Sequence, residues 1–138
     1  MSVESGQQYH QNVTHFLRKA ITFGDDGAVV SLGWLPAKAA VIRGGAVVST
    51  AFNAGSGNIL DIGFRAAGDG TTADPDEYAT DLALGTAGVI VADEMATAAD
   101  AYLPEGAEIT CSPALSGTAA TEGAAVVWVE YIVDNSDA

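Results

Sequence analysis

Cysteine is nearly absent: Cys111 stands alone in 138 residues. Neither an internal disulfide framework nor a cysteine-built zinc site can hold such a chain together. Bases are scarce too, five Lys and Arg against eighteen Asp and Glu, for a net charge of −13. Phosphate recognition needs clustered Lys and Arg, so no nucleic-acid partner is expected. No apolar run approaches the roughly 18–20 residues of a membrane helix. The opening Met1-Ser-Val-Glu-Ser-Gly-Gln-Gln has neither the basic start nor the apolar stretch of a signal peptide. No membrane partner is expected, and synthesis and folding are expected in the cytoplasm. No fixed-period repeat and no low-complexity tract occurs.

Signatures of catalysis are equally sparse. Nothing like Gly-x-Ser-x-Gly lifts a serine onto an elbow. Gly55-Ser-Gly57 and Gly68-Asp-Gly70 are turns without the following helix that a phosphate-binding loop requires. His10 and His15 fall in no metal-ligand spacing. Cys111 lies in a strand pattern with no local base to activate it, which suits a packed, inert thiol. Asp69, Asp74, Asp76 and Glu77 are hard oxygen donors within the polar stretch Ala66–Glu77, the weak candidates for a divalent-ion site. Their spacing does not match an EF-hand, and turn-forming Asp in a solvated loop accounts for them equally well. No enzyme activity, cofactor or specific metal is expected. Arg43 and Arg65 are expected to pair with surface acids.

What the chain has in plenty is strand-length apolar runs between closely spaced turns. Lys38–Phe52 and Asn58–Phe64 flank the turn Asn53-Ala-Gly-Ser-Gly57 and read as a hairpin, with Leu60, Ile62 and Phe64 on one face and Ile59, Asp61 and Gly63 on the other. Gly44-Gly45 marks a bulge or corner in the first of these strands. Lys19–Phe23, Ala28–Leu32, Tyr78–Leu84, Ala87–Val91 and Ala107–Cys111 are further candidates. Ala66–Glu77 and Ser112–Thr121 read as loops, and Ala92–Ala101 as a helical turn or irregular crossing. Turns at this spacing predict an all-β, antiparallel β-sandwich. A single domain of this length buries about 68–70% of its unfolded surface, enough for a core without staples.

The two ends stand apart from this pattern. In Gly123–Asp134 one face is Ala125, Val127, Val129, Tyr131 and Val133, yet the other carries Val126, Trp128 and Ile132 with only Glu130 to meet water. One face of such a strand normally meets solvent. Val126, Trp128 and Ile132 are therefore candidates for an oligomer interface, unless the chain covers them itself. Residues 1–18 form a candidate arm preceding a sandwich at 19–138. Residues 1–19 hold His10, His15, Arg18 and Lys19 against Glu4 alone, whereas residues 20–138 hold three bases against seventeen acids. Tyr9, Val13, Phe16 and Leu17 recur at helical spacing; extended, the arm would reach roughly 60 Å. These four are the expected docking residues.

Ile21-Thr-Phe-Gly-Asp-Asp-Gly27, Ala51-Phe-Asn53 with Asn58-Ile-Leu-Asp-Ile-Gly63, Ala79-Thr-Asp-Leu-Ala-Leu-Gly85 and Val126-Val-Trp-Val-Glu-Tyr-Ile-Val-Asp-Asn135 resemble the small β-sandwich virion structural proteins of tailed bacteriophages. The resemblance spans roughly residues 17–135. It implies a jelly-roll-like capsid decoration, or cement, protein on the head exterior, made in the host cytoplasm. It also implies a trimer whose terminal arm clamps the major capsid protein. A receptor- or glycan-binding component of a head fibre or tail is the alternative.

Overall fold

The computed structural model describes residues 14–65 and 73–134. Nine strands follow in order: β1 (His15–Thr22), β2 (Val30–Leu35), β3 (Ala39–Thr50), β4 (Gly57–Arg65), β5 (Asp74–Ala83), β6 (Gly88–Ala92), β7 (Tyr102–Leu103), β8 (Ala107–Ser116) and β9 (Ala124–Val133). They form two antiparallel sheets. The first runs β1-β9-β3-β6, with the short β7 on the beginning of β3; the second runs β2-β8-β4-β5. The two orders, one five-stranded sheet counting β7 and one four-stranded, with the chain changing sheet at every connection except β4–β5 and β6–β7, are those of a jelly roll, and the expected all-β sandwich is present.

The core is what the alternation predicted. Leu60, Ile62 and Phe64 are at most 1% exposed and face Val41, Val127 and Val129 across the sandwich. Gly44 in β3 is required by close packing. A Cβ there would lie 2.5 Å from the Trp128 carbonyl oxygen and 2.8 Å from Met95 Cε, on the 3₁₀ turn Met95–Thr97. The glycine pair therefore marks close approach, and the bulge lies just upstream, between Val41 and Arg43.

Three expectations are corrected. The runs around the 53–57 turn do not form a hairpin: β3 pairs with β9 and β6, β4 with β8 and β5. Alternation fixes which side chains face inward but not which strand lies alongside, and the turn carries the chain from one sheet to the other. It is held by Asn58, whose Oδ1 accepts from Ala54 N at 2.8 Å while Nδ2 donates to the Ala54 carbonyl at 3.1 Å. Next, β8 continues through Pro113 to Ser116 instead of ending at Cys111. The Pro113 carbonyl accepts from Gly27 N at 3.0 Å, so the missing N–H would point to the same edge, where pairing with β2 has already stopped at Cys111. Finally, Asp74, Asp76 and Glu77 belong to β5 rather than to a loop. Pairing there is broken by shifts at Leu60/Ile62 and Ile62/Phe64, which lets a strand tolerate Asp-Pro-Asp-Glu.

Candidate functional site

The register of the first sheet decides which side chains leave the core. Across β1, β9 and β3, Phe16 lies opposite Glu130, Arg18 opposite Trp128, Ala20 opposite Val126, and Val47 opposite Val126 from the other side. On β6, Val89 is opposite Val47 and Val91 opposite Gly45. All point away from the sandwich, because their neighbours Ile21, Ala46, Val48, Val127 and Val129 point into it. The result is an apolar outer face on which Phe16 is 58% and Val89 67% exposed, with Val47, Val91, Tyr102 and Ile132 also open.

Phe16, Arg18, Arg43, Val47, Val126 and Trp128 enclose an open depression of about 650 Å³ on this face. The Phe16 and Trp128 rings form one wall, tilted with centroids 6.3 Å apart. Gly45, opposite Trp128, allows β6 to pack closely, since a Cβ there would collide with the Ile90 carbonyl. Arg43 Nε donates to Glu130 Oε1 at 2.7 Å, neutralising the acid that interrupts the apolar face of β9. Arg18 makes no ion pair among the described residues. The depression is apolar ground with one paired and one unpaired guanidinium, chemistry suited to gripping a polypeptide that brings aliphatic side chains and a carboxylate.

The outer face of the second sheet is built differently. Asp61, Arg65, Glu108 and Ser112 lie there, and Arg65 holds Glu108 through two bonds, Nε to Oε1 at 2.8 Å and Nη2 to Oε2 at 3.3 Å. That contact lowers the Glu108 carboxyl below its ordinary range and raises the Arg65 guanidinium. Trp34, 59% exposed near the β2 edge, is the apolar exception.

Of the residues singled out by sequence, Phe16, Val126, Trp128 and Ile132 meet on the outer face of the first sheet. Leu17 points the other way, partly buried against the core beside Gly33. The helical spacing expected of the arm ends in an extended strand here: β1 runs across residue 18 and pairs along β9. Tyr9 and Val13 lie outside the described residues, as does Asp69. Arg18, Val47, Val89 and Val91 were missed as surface residues. Their signal was alternation in β1, β3 and β6, which becomes readable only once the inward set is known.

The acids of β5 act structurally. Glu77 Oε2 accepts from Asp100 N at 2.9 Å and the Tyr78 hydroxyl donates to the Asp100 carbonyl at 2.8 Å, tying β5 to the segment before β7. Hydrogen bonding to the neighbouring Asp74 carboxyl raises Asp76. Among the described residues, no three His, Cys, Asp or Glu side chains are grouped to hold a metal ion. Cys111 is buried and its thiol is pushed up to about 12, first by burial and then by Asp25, so it is protonated at neutral pH. Among the described residues no helix is long and apolar enough to cross a membrane.

No protein-family model matches the chain, and no curated protein matches it. Solved structures do. A chain of the acidic stable capsid structure of Helicobacter pylori bacteriophage KHP30 superposes with a TM-score of 0.62 at 18% identity, covering 89% of this chain and 90% of that one. A chain of the capsid of Ralstonia phage GP4 gives a TM-score of 0.59 at 18% identity, with 88% and 84% covered. A chain of the cyanophage Pam1 capsid asymmetric unit gives 0.60 at 13% identity, with 89% and 86% covered. At these identities the likeness is one of fold.

Proposed function

We infer that the protein is a structural component of a bacteriophage virion, a capsid decoration (cement) protein that binds the head exterior and bridges subunits of the major capsid protein. The observation that carries this reading is the outer face of the first sheet. A jelly roll needs one covered face per sheet, and here a second face is apolar, rimmed by arginine and shaped as a shallow depression. The near full-length likeness to chains of three phage capsid structures supports a role in a shell.

In this reading Val126, Trp128 and Ile132 form a homo-oligomer interface, with Trp128 as the aromatic anchor, in a closed ring of three copies. Residues 1–18 dock on the capsid through Tyr9, Val13 and Phe16, while Leu17 secures the root of the arm to the sandwich. Each copy needs only modest contacts, because simultaneous engagement of several arms raises the effective affinity. The work is mechanical: outward pressure from packaged DNA must break the added interfaces before the shell can open. No reacting group takes part.

Removing residues 1–13 tests the assignment, since it spares β1 and its pairing with β9. The truncated protein should fold, self-associate and fail to bind capsids lacking the wild-type chain. Undiminished capsid occupancy would remove the arm from the mechanism. Retained binding to a host receptor or glycan, with no capsid binding by either form, would favour a fibre or tail component.

A further inference from the structure

The two lateral sides of the sandwich differ in charge. On one side β1 ends the first sheet and β2 ends the second, and the two strands touch. Neither strand contains an acid, although Asp25 and Asp26 follow β1 and accept from the backbone N–H groups of Thr22 and Leu115; β1 contributes Arg18 and Lys19, both exposed, with exposed Phe16 and Trp34 beside them. On the other side β6 and β5 end the sheets and also touch. They contain no base. Asp76, Glu77 and Asp81 lie on β5 and the exposed Asp93 and Glu94 directly follow β6, next to open Val89 and Val91. Among the described residues neither Asp93 nor Glu94 has a side-chain partner, and Arg18 has no ion pair.

We propose that copies of this chain associate head to tail, the basic β1/β2 side of one copy seated against the acidic β5/β6 side of the next, with Arg18 facing Glu94. This rests on the self-association read above and specifies its geometry. The β5/β6 side cannot meet itself favourably, because that brings acids together, and on the β1/β2 side Asp25 and Asp26 are already engaged by backbone N–H groups while Arg18 and Lys19 stay exposed. Opposite sides match in both respects: Trp34 and the Trp128 wall of the depression offer apolar area to Val89 and Val91 while the charges pair. Such a contact is heterologous, and it closes into a ring when the rotation per copy permits.

Sedimentation equilibrium of the full-length chain at low salt, over a series of concentrations, tests the pairing. Arg18→Glu and Glu94→Lys should each weaken association about tenfold, and the charge-swapped double variant should recover to within about threefold of wild type. Both residues are exposed, so all three variants keep the fold, checked by circular dichroism. Unchanged association in either single variant, or no recovery in the double, overturns the head-to-tail pairing. If that occurs while Trp128→Asp still yields monomers, self-association stands and only its geometry falls. A wild-type chain that is monomeric throughout overturns both.

Discussion

The outer faces of the two sheets share one architecture and differ in chemistry. On the second sheet Arg65 and Glu108 pair over neighbouring polar residues, and Trp34 is the widely exposed apolar side chain. On the first sheet Phe16, Val47, Val89, Val91, Trp128 and Ile132 spread across four strands with one ion pair, Arg43–Glu130, among them. Both sheets bury their inner faces equally well, so the fold does not call for the difference. An apolar face that the core does not use is the mark of a surface selected for contact.

Substitutions on the inner and outer faces should separate stability from association. The largest loss of stability is expected inside: Ile62→Ala should cost about 2–5 kcal/mol in chemical denaturation, because the fully buried side chain leaves a cavity between the sheets. Trp128→Asp, one residue from the buried Val127, should instead leave a folded protein whose self-association is at least about thirtyfold weaker, as for loss of an interface anchor. An unfolded product would make that face part of the core and erase the contrast. A smaller effect, about fivefold on association, is expected for Val47→Ser at the far wall of the depression.

The smallest effect should come from the polar sheet. Glu108 has its carboxyl lowered by Arg65, so its proton is bound more weakly in the folded state. Its stabilisation is present above the ordinary value of 4.5 and is lost as pH falls through the lower folded value. Arg65 is open to solvent, which screens the pair and keeps its contribution small. Glu108→Gln should therefore flatten the acid limb of a stability–pH curve slightly and leave association unchanged. A marked fall in association would place the outer face of the second sheet itself in the contact.

How much of this was legible in the sequence follows from what periodicity encodes. A strand pattern states which side chains share a face, so the inward triad Leu60, Ile62, Phe64 and the two apolar faces of β9 were readable. Partnership is a long-range property. Nothing local distinguishes a hairpin at 53–57 from a crossing between sheets, and the register partners lie far along the chain, from Arg65–Glu108 between β4 and β8 to Ala39–Val133 between β3 and β9. Pro113 reads as a strand breaker until the edge on which its missing N–H falls is known. The depression needed three strands in register before Arg18, Val47 and Trp128 could be seen as neighbours. The contrast in charge between the lateral sides required the sheet order itself.

The central claim is that the outer face of the first sheet is a contact surface within a phage head. Cryo-electron microscopy of the assembled virion tests it most directly. The chain should be found on the capsid exterior with Trp128 and Val126 covered by another polypeptide and residues 1–18 reaching a neighbouring capsid subunit. A chain located in the head with Trp128 open to solvent, or a head that lacks the chain altogether, would contradict it.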